Sequence, residues 1–287
     1  MLSPRLALAL LAALAPASSR APSDPSPVSC SIDGIADYSR TLHFCDLMRQ
    51  TRPFGSAQAP YDHNCSVGAD GWPTQGDFGL VFITLPSGAP PVGVLIDGVY
   101  TLRFTGRAAT LSFPVSTATL LNASYDAAAD ATLAFIEVPP ANNGQLWISW
   151  HGAALASGAA GAKGVMLLQP GCALADPLAV SPSLLSLLTR FDSLRFMDLL
   201  ATNDSPQAEW ADRRLMTDPS YAYTVANTTG IPWEQAVHIV NSVERDMWIN
   251  IPAHASDDYI ANLAVLLRDS VDPSLNIYYE YSNEARL

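Results

Sequence analysis

Residues 232–281 read PWEQAVHIVNSVERDMWINIPAHASDDYIANLAVLLRDSVDPSLNIYYEY, and their periodicity sets the fold class. Residues 232–245 place Ala236, Val237, Val240 and Val243 on one face of a helix. Residues 246–252 are a short apolar run that stops at Pro252, which reads as a strand. Residues 258–271 form a second amphipathic helix, capped by Ser256 or Asp257, with Ile260, Leu263, Ala264 and Leu267 inward. Residues 276–281 are another strand. Working back, 193–198 is a strand, and 181–190 is a helix with Ser181 at the N-cap and Pro182 at the first helical position. The run 164–168 is read as the strand before it.

Strands alternating with helices imply a parallel sheet. No Gly-x-Gly-x-x-Gly and no phosphate loop follows any of these strands, which disfavours a nucleotide-binding sheet and leaves no cofactor expected. A closed barrel is the better fit. It takes eight strands and about 250 residues, so residues 164–287 read as the first half of a (β/α)8 barrel, with the chain expected to be truncated at Leu287. Upstream the period changes to two. Residues 79–85, 99–104, 109–113, 131–138 and 146–150 are short apolar or alternating runs punctuated by Gly, Pro and Asn. Residues 22–163 are therefore expected to form a β-rich, sandwich-like domain. The expected class is multidomain β plus α/β.

The chain has 287 residues, 49% of them apolar and 15% charged, which excludes a disordered chain. Lys and Arg number 15 against 27 Asp and Glu, for a net charge of −12. With no basic stripe, nucleic acid and anionic membrane are not expected partners.

Residues 1–21 carry an address. A short basic start precedes LALALLAALA at 6–15, and small residues follow. This is a secretory signal peptide, too short for a membrane span, and an extracellular product is expected. Cys30, Cys45, Cys65 and Cys172 all lie beyond it. Their even number predicts full pairing in an oxidising compartment, with three possible connectivities. Sequons at Asn64, Asn122 and Asn227 agree with export, and Pro206 weakens a fourth at Asn203.

In a βα barrel the reactive groups sit at the C-terminal ends of the strands. Those ends supply Arg195 and Asp198, then His254, then Asn283 and Glu284. A carboxyl beside an amide donor suits glycoside hydrolysis, where one acid protonates the leaving oxygen and a second carboxylate attacks or activates water. Glu284 is the candidate acid/base and Asn283 a holder of sugar hydroxyls. Trp210 and Tyr281 offer rings for the apolar face of a pyranose, whereas Trp248, inside a strand, reads as core. His43, His63, His151, His238 and His254 show no HxH or HExxH spacing, so no metal site is expected.

Glu280-Tyr281-Ser282-Asn283-Glu284 resembles the strand-four motif of retaining (β/α)8 glycoside hydrolases, the clan that includes many cellulases and mannanases. Leu194-Arg195-Phe196-Met197-Asp198 resembles the strand-two arginine segment of that clan, and Ile251-Pro252-Ala253-His254 its strand-three histidine. Residues 191–284 are similar as a whole to secreted proteins described as cellulose-binding or glycoside-hydrolase-like, with Trp210-Ala211-Asp212-Arg213 and His254-Ala255-Ser256-Asp257-Asp258-Tyr259 matching in order. The resemblance implies a polysaccharide or oligosaccharide partner, Glu284 as acid/base, and Arg195, Asp198, Trp210, His254, Tyr281 and Asn283 as substrate-binding residues. It places the nucleophile on strand seven, in the half that this sequence lacks. Retaining hydrolysis is thus expected only of a complete chain, and the rival expectation is a non-catalytic carbohydrate-binding or cell-wall protein. Two positions depart from the pattern: Leu199 stands where a tryptophan is common, and Ala285-Arg286-Leu287 replaces an apolar-aromatic pair.

Overall fold

The computed structural model describes residues 28–39, 41–85, 96–140, 144–176, 178–203, 205–222 and 229–283. The signal peptide expected at 1–21, the sequon asparagine at 227 and the candidate acid Glu284 lie outside them. The described residues are rich in sheet, with eleven strands and three α-helices, an architecture of β plus α/β type. Among them no helix is long and apolar enough to cross a membrane.

The chain divides into two compact units. One comprises Met1–Gly34, Leu185–Thr217 and Ala226–Leu287, and the other Ile35–Leu184 and Asp218–Val225. This differs from the expected boundary between 163 and 164. The chain contributes one strand to the first unit, builds most of the second, and then returns.

The first unit holds an all-parallel sheet in the order β1-β9-β10-β11. Its strands are β1 (Ser29–Ser31), β9 (Ser193–Arg195), β10 (Asp246–Ile251) and β11 (Ile277–Tyr281). Helix α2 (Trp233–Val243) connects β9 to β10, and α3 (Asp257–Ser270) connects β10 to β11. Helix α2 buries Trp233, Ala236, Val237, Ile239, Val240 and Val243, and ends on Glu244 in the left-handed region at φ 54°. Ser256 caps α3: its Oγ accepts from the Tyr259 N–H at 3.2 Å, one of the orphan donors of the first turn. The leading strand of this sheet is β1, which the sequence reading missed. Ser-Cys-Ser carries no apolar period, and three residues are too few to show one.

The second unit contains two antiparallel sheets. One has the order β2-β7-β4, from β2 (Phe78–Thr84), β7 (Gln145–His151) and β4 (Thr110–Ser112). The other has the order β5-β6-β3-β8, from β5 (Thr119–Asp126), β6 (Ala131–Val138), β3 (Gly98–Thr105) and β8 (Lys163–Leu168). Alternate residues of both sheets meet in one apolar cluster that includes Phe78, Leu80, Tyr100, Leu102, Phe104, Ile136, Ile148, Trp150 and Leu167. Trp150 stacks on Phe78 with centroids 4.9 Å apart.

Strand β8 corrects the reading of 164–168 as the opening strand of the parallel sheet. It lies antiparallel to β3, with Leu167 opposite Leu102. An apolar run looks alike in a parallel core strand and at an antiparallel edge. Strand β5 was not anticipated either, because its register to β6 slips between Leu120 and Asn122, which breaks the alternation. Helix α1 (Pro182–Leu188) follows, and the Ser181 Oγ accepts from the Leu184 N–H at 3.2 Å.

Full pairing of the cysteines is also corrected. Cys45 and Cys172 form a disulfide across 127 positions, while Cys30 and Cys65 are free thiols. The two thiols fall in different units, Cys30 on β1.

Candidate functional site

The parallel sheet gathers polar side chains at the C-terminal ends of its strands. Arg195 is the last residue of β9 and lies beside Trp248 of β10. Asn250 of β10 lies beside Glu280 of β11. These registers converge on one carboxylate oxygen. Glu280 Oε2 accepts from Arg195 Nη2 at 2.8 Å, from Trp248 Nε1 at 3.0 Å and from Asn250 Nδ2 at 2.7 Å. The Arg195 guanidinium also lies over the Trp248 ring, 5.0 Å from its centroid.

The same arginine reaches the following turn. Its Nη2 donates to Asn283 Oδ1 at 2.8 Å, and Asn283 Nδ2 donates to Asn203 Oδ1 at 3.2 Å. Ser282 makes this possible: its φ of 60° turns the chain sharply after β11, and its N–H donates to the Ile251 carbonyl at 2.8 Å. The Ser282 carbonyl in turn accepts from Asn250 Nδ2 at 3.0 Å. Asn250 is 1% exposed, and its Oδ1 has no hydrogen-bond partner among the described residues.

The charge states follow from these contacts. Desolvation pushes the Glu280 carboxyl up, but the hydrogen bonds from Arg195 and Asn250, the arginine's charge and the indole N–H outweigh it and hold the group below its ordinary value. A carboxylate held ionised by three donors is a poor proton donor and a good anchor. Asp198 responds in the opposite sense. Burial and then repulsion from Asp33 raise it, against the attraction of Arg195. Arg195 thus faces one carboxylate kept ionised and one carboxyl inclined to keep its proton.

The candidates from the sequence separate in space. Arg195 and Asn283 are hydrogen-bonded to each other, and Asp198 is coupled to Arg195 by charge. Tyr281 alternates with Glu280 along β11, and its hydroxyl donates to the Ala253 carbonyl at 2.7 Å. His254 is exposed in the turn after β10 and takes no part in the Glu280 network. Trp210 belongs to another cluster. Its ring meets Tyr259 edge-on at 5.2 Å and lies 4.2 Å from the Arg213 guanidinium carbon. Tyr259 bridges Trp233 Nε1 and Gln207 Oε1 at 2.7 and 2.6 Å.

Glu280, Asn250, Asn203 and Asp33 were not singled out from the sequence. The signal for two of them was present: Asn250 and Glu280 are polar residues within otherwise apolar strands. Trp248 was read as core, but it is half-buried and spends its N–H on Glu280. Among the described residues no group of three or more His, Cys, Asp or Glu side chains could hold a metal ion. Comparisons with family profiles, curated proteins and solved structures returned no match.

Proposed function

We propose that this chain is a secreted, polysaccharide-directed glycoprotein of glycoside-hydrolase type. Its parallel sheet is the first half of a (β/α)8 barrel, and its antiparallel sheets form a sandwich. The observation that carries the reading is the Arg195 fork, which holds Glu280 and Asn283 together at the strand ends and fixes the residue immediately before Glu284. Glu284 is the acid/base that protonates the glycosidic oxygen, and Asn283 and Arg195 bind sugar hydroxyls. A second carboxylate is required as nucleophile for a retaining reaction, so turnover belongs to a chain that supplies one.

One observation favours the non-catalytic binding reading. Trp147 is half-buried on the antiparallel unit, its Nε1 tied to Thr84 Oγ1 at 2.9 Å, with the exposed Tyr61 ring 5.6 Å away. Trp150 offers no such surface, since it is fully buried.

Affinity electrophoresis through gels of β-linked glucan, mannan and xylan tests the shared claim. Retardation by at least one polysaccharide is expected, weakened in Arg195→Ala. Free migration in all of them would remove the polysaccharide reading. Hydrolysis of an oligosaccharide and an aryl glycoside separates the two versions. Glu284→Gln should cost an active chain about a hundred- to ten-thousand-fold on the oligosaccharide, with azide restoring turnover of the aryl glycoside. Binding without turnover in the wild type favours the binding protein.

A further inference from the structure

Strand β5 is the outer strand of its sheet, and all eight of its residues are exposed. After the slip at Leu121, Asn122 stands directly opposite Phe135 of β6. The faces of β6 are clear from burial: Ala134 and Ile136 are 0% exposed, and Phe135 between them is 36% exposed. Phe135 and Asn122 therefore share the outer face, where directly opposed side chains start about 5 Å apart. Thr101 of β3 is the neighbour of Phe135 on the other side.

The strand is poorly protected. Leu120 and Leu121 are 41% and 52% exposed, and Val99 of β3 adds 46%. Strand edges are normally blunted by Lys, Pro, inward charge or cover, because their free N–H and C=O groups template pairing with another chain. The sequence TLLNASYD contains neither Lys nor Pro, and its one charge is Asp126 at the far end.

Asn122-Ala123-Ser124 is an N-x-S acceptor on this strand. The sequon at Asn203 is less available, with Asn203 Oδ1 engaged by Asn283 and Ser205 only 4% exposed. We propose that Asn122 carries an N-linked glycan whose first sugar stacks on Phe135 and whose bulk closes the β5 edge. The proposal rests on the secretory reading above. In the transfer the Asn122 amide nitrogen bonds to C1 of an oligosaccharide carried on a polyprenyl pyrophosphate. The C1–oxygen bond breaks, the lipid pyrophosphate leaves with the electron pair, and the amide loses one proton. The apolar face of the sugar then covers the aromatic ring.

The test is site mapping on the full chain secreted from a eukaryotic host. Peptides are released by glycosidase in heavy-oxygen water, so that each formerly glycosylated asparagine becomes a mass-tagged aspartate. Tagging at position 122 in most molecules is expected. Asn122→Gln and Ser124→Ala should each lose one glycan mass, and in light scattering each should show more oligomer than the wild type. In Phe135→Ser the glycan should remain, but the fall in melting temperature on its enzymatic removal should shrink. An untagged Asn122 beside a tagged Asn64 overturns the proposal and leaves secretion standing. No glycan at any sequon overturns both. An occupied Asn122 whose removal leaves a monomer of unchanged stability overturns the role at the edge.

Discussion

In the antiparallel unit the acid Asp46 is enclosed completely, while in the parallel unit Glu280 sits partly exposed at the end of a strand. Asp46 caps the short 3-10 turn Leu47–Gln50. Its Oδ1 accepts from the Met48 and Leu167 N–H groups at 3.1 and 3.0 Å, and Arg49 Nε lies 3.2 Å from Oδ2. Its task is to tie backbone to backbone, and burial pushes its carboxyl up to about 6, against the opposing pull of Arg49 and the backbone donors. Asp37, paired with Arg52, is likewise buried and raised, chiefly by desolvation. Glu280 is held by three side-chain donors and lies lower than usual. One unit places acids where they cost charge and organise loops. The other aims ionised and polar groups at a strand end, where a ligand can meet them. Buried polar residues therefore mark a functional site only when their donors are side chains gathered at one end of a sheet.

The comparison is broken most directly through the antiparallel core. Trp150→Ala removes a ring packed against Phe78, Phe82 and Phe104. It should cost about 3–5 kcal/mol. Urea melts should show that loss, and hydrogen exchange should localise it to the antiparallel unit. Equal loss of protection in β10 and β11 would show that the two units do not unfold separately.

Next in size is the disulfide. Cys45 and Cys172 close a loop across 127 positions within the antiparallel unit. Reduction, or Cys172→Ser, should lower stability by about 2–4 kcal/mol. Thiol labelling of the native protein should find Cys30 and Cys65 only. Labelling of all four would disprove the pairing.

Acid should then separate the units by sign. The Asp46 carboxyl is higher in the folded protein than its ordinary 3.8. Its contribution is therefore fully present below 3.8 and is lost as pH rises through about 6, an effect of about 2 kcal/mol. Glu280 is lowered from 4.5, so its contribution is present above that value and fades as pH falls through its depressed folded value. Melts between pH 7 and 4 should show the antiparallel transition rising, a rise that Asp46→Asn flattens. The parallel transition should hold across that range and fall only in stronger acid. Parallel shifts of both transitions would defeat the assignment.

The smallest effect belongs to Glu280→Gln. It keeps an acceptor for some of the three donors while removing the ion pair with Arg195, and it should cost about 1–2 kcal/mol. Indole fluorescence should report a changed Trp248 environment. An unchanged spectrum would mean that the Trp248–Glu280 contact does not persist in solution.

Much of the parallel unit was legible without coordinates. The 3.6-residue spacing of Ala236, Val237, Val240 and Val243, and of Ile260, Leu263, Ala264 and Leu267, names the buried faces of α2 and α3, because a helix repeats its neighbours at that interval. Arg195 and Asn283 could be nominated because strand ends are where a parallel sheet exposes its reactive groups. Tertiary structure decided what local pattern does not encode. Strand β1 is three residues long and pairs with β9, more than 160 positions away, so no window of sequence contains its reason for being a strand. The same apolar run that suits a parallel strand was drawn by Leu102 into the antiparallel sheet as β8. Glu280 became the centre of the site only when Arg195, Trp248 and Asn250 arrived from two other strands, because a carboxylate's charge state depends on the donors around it and not on its neighbours along the chain.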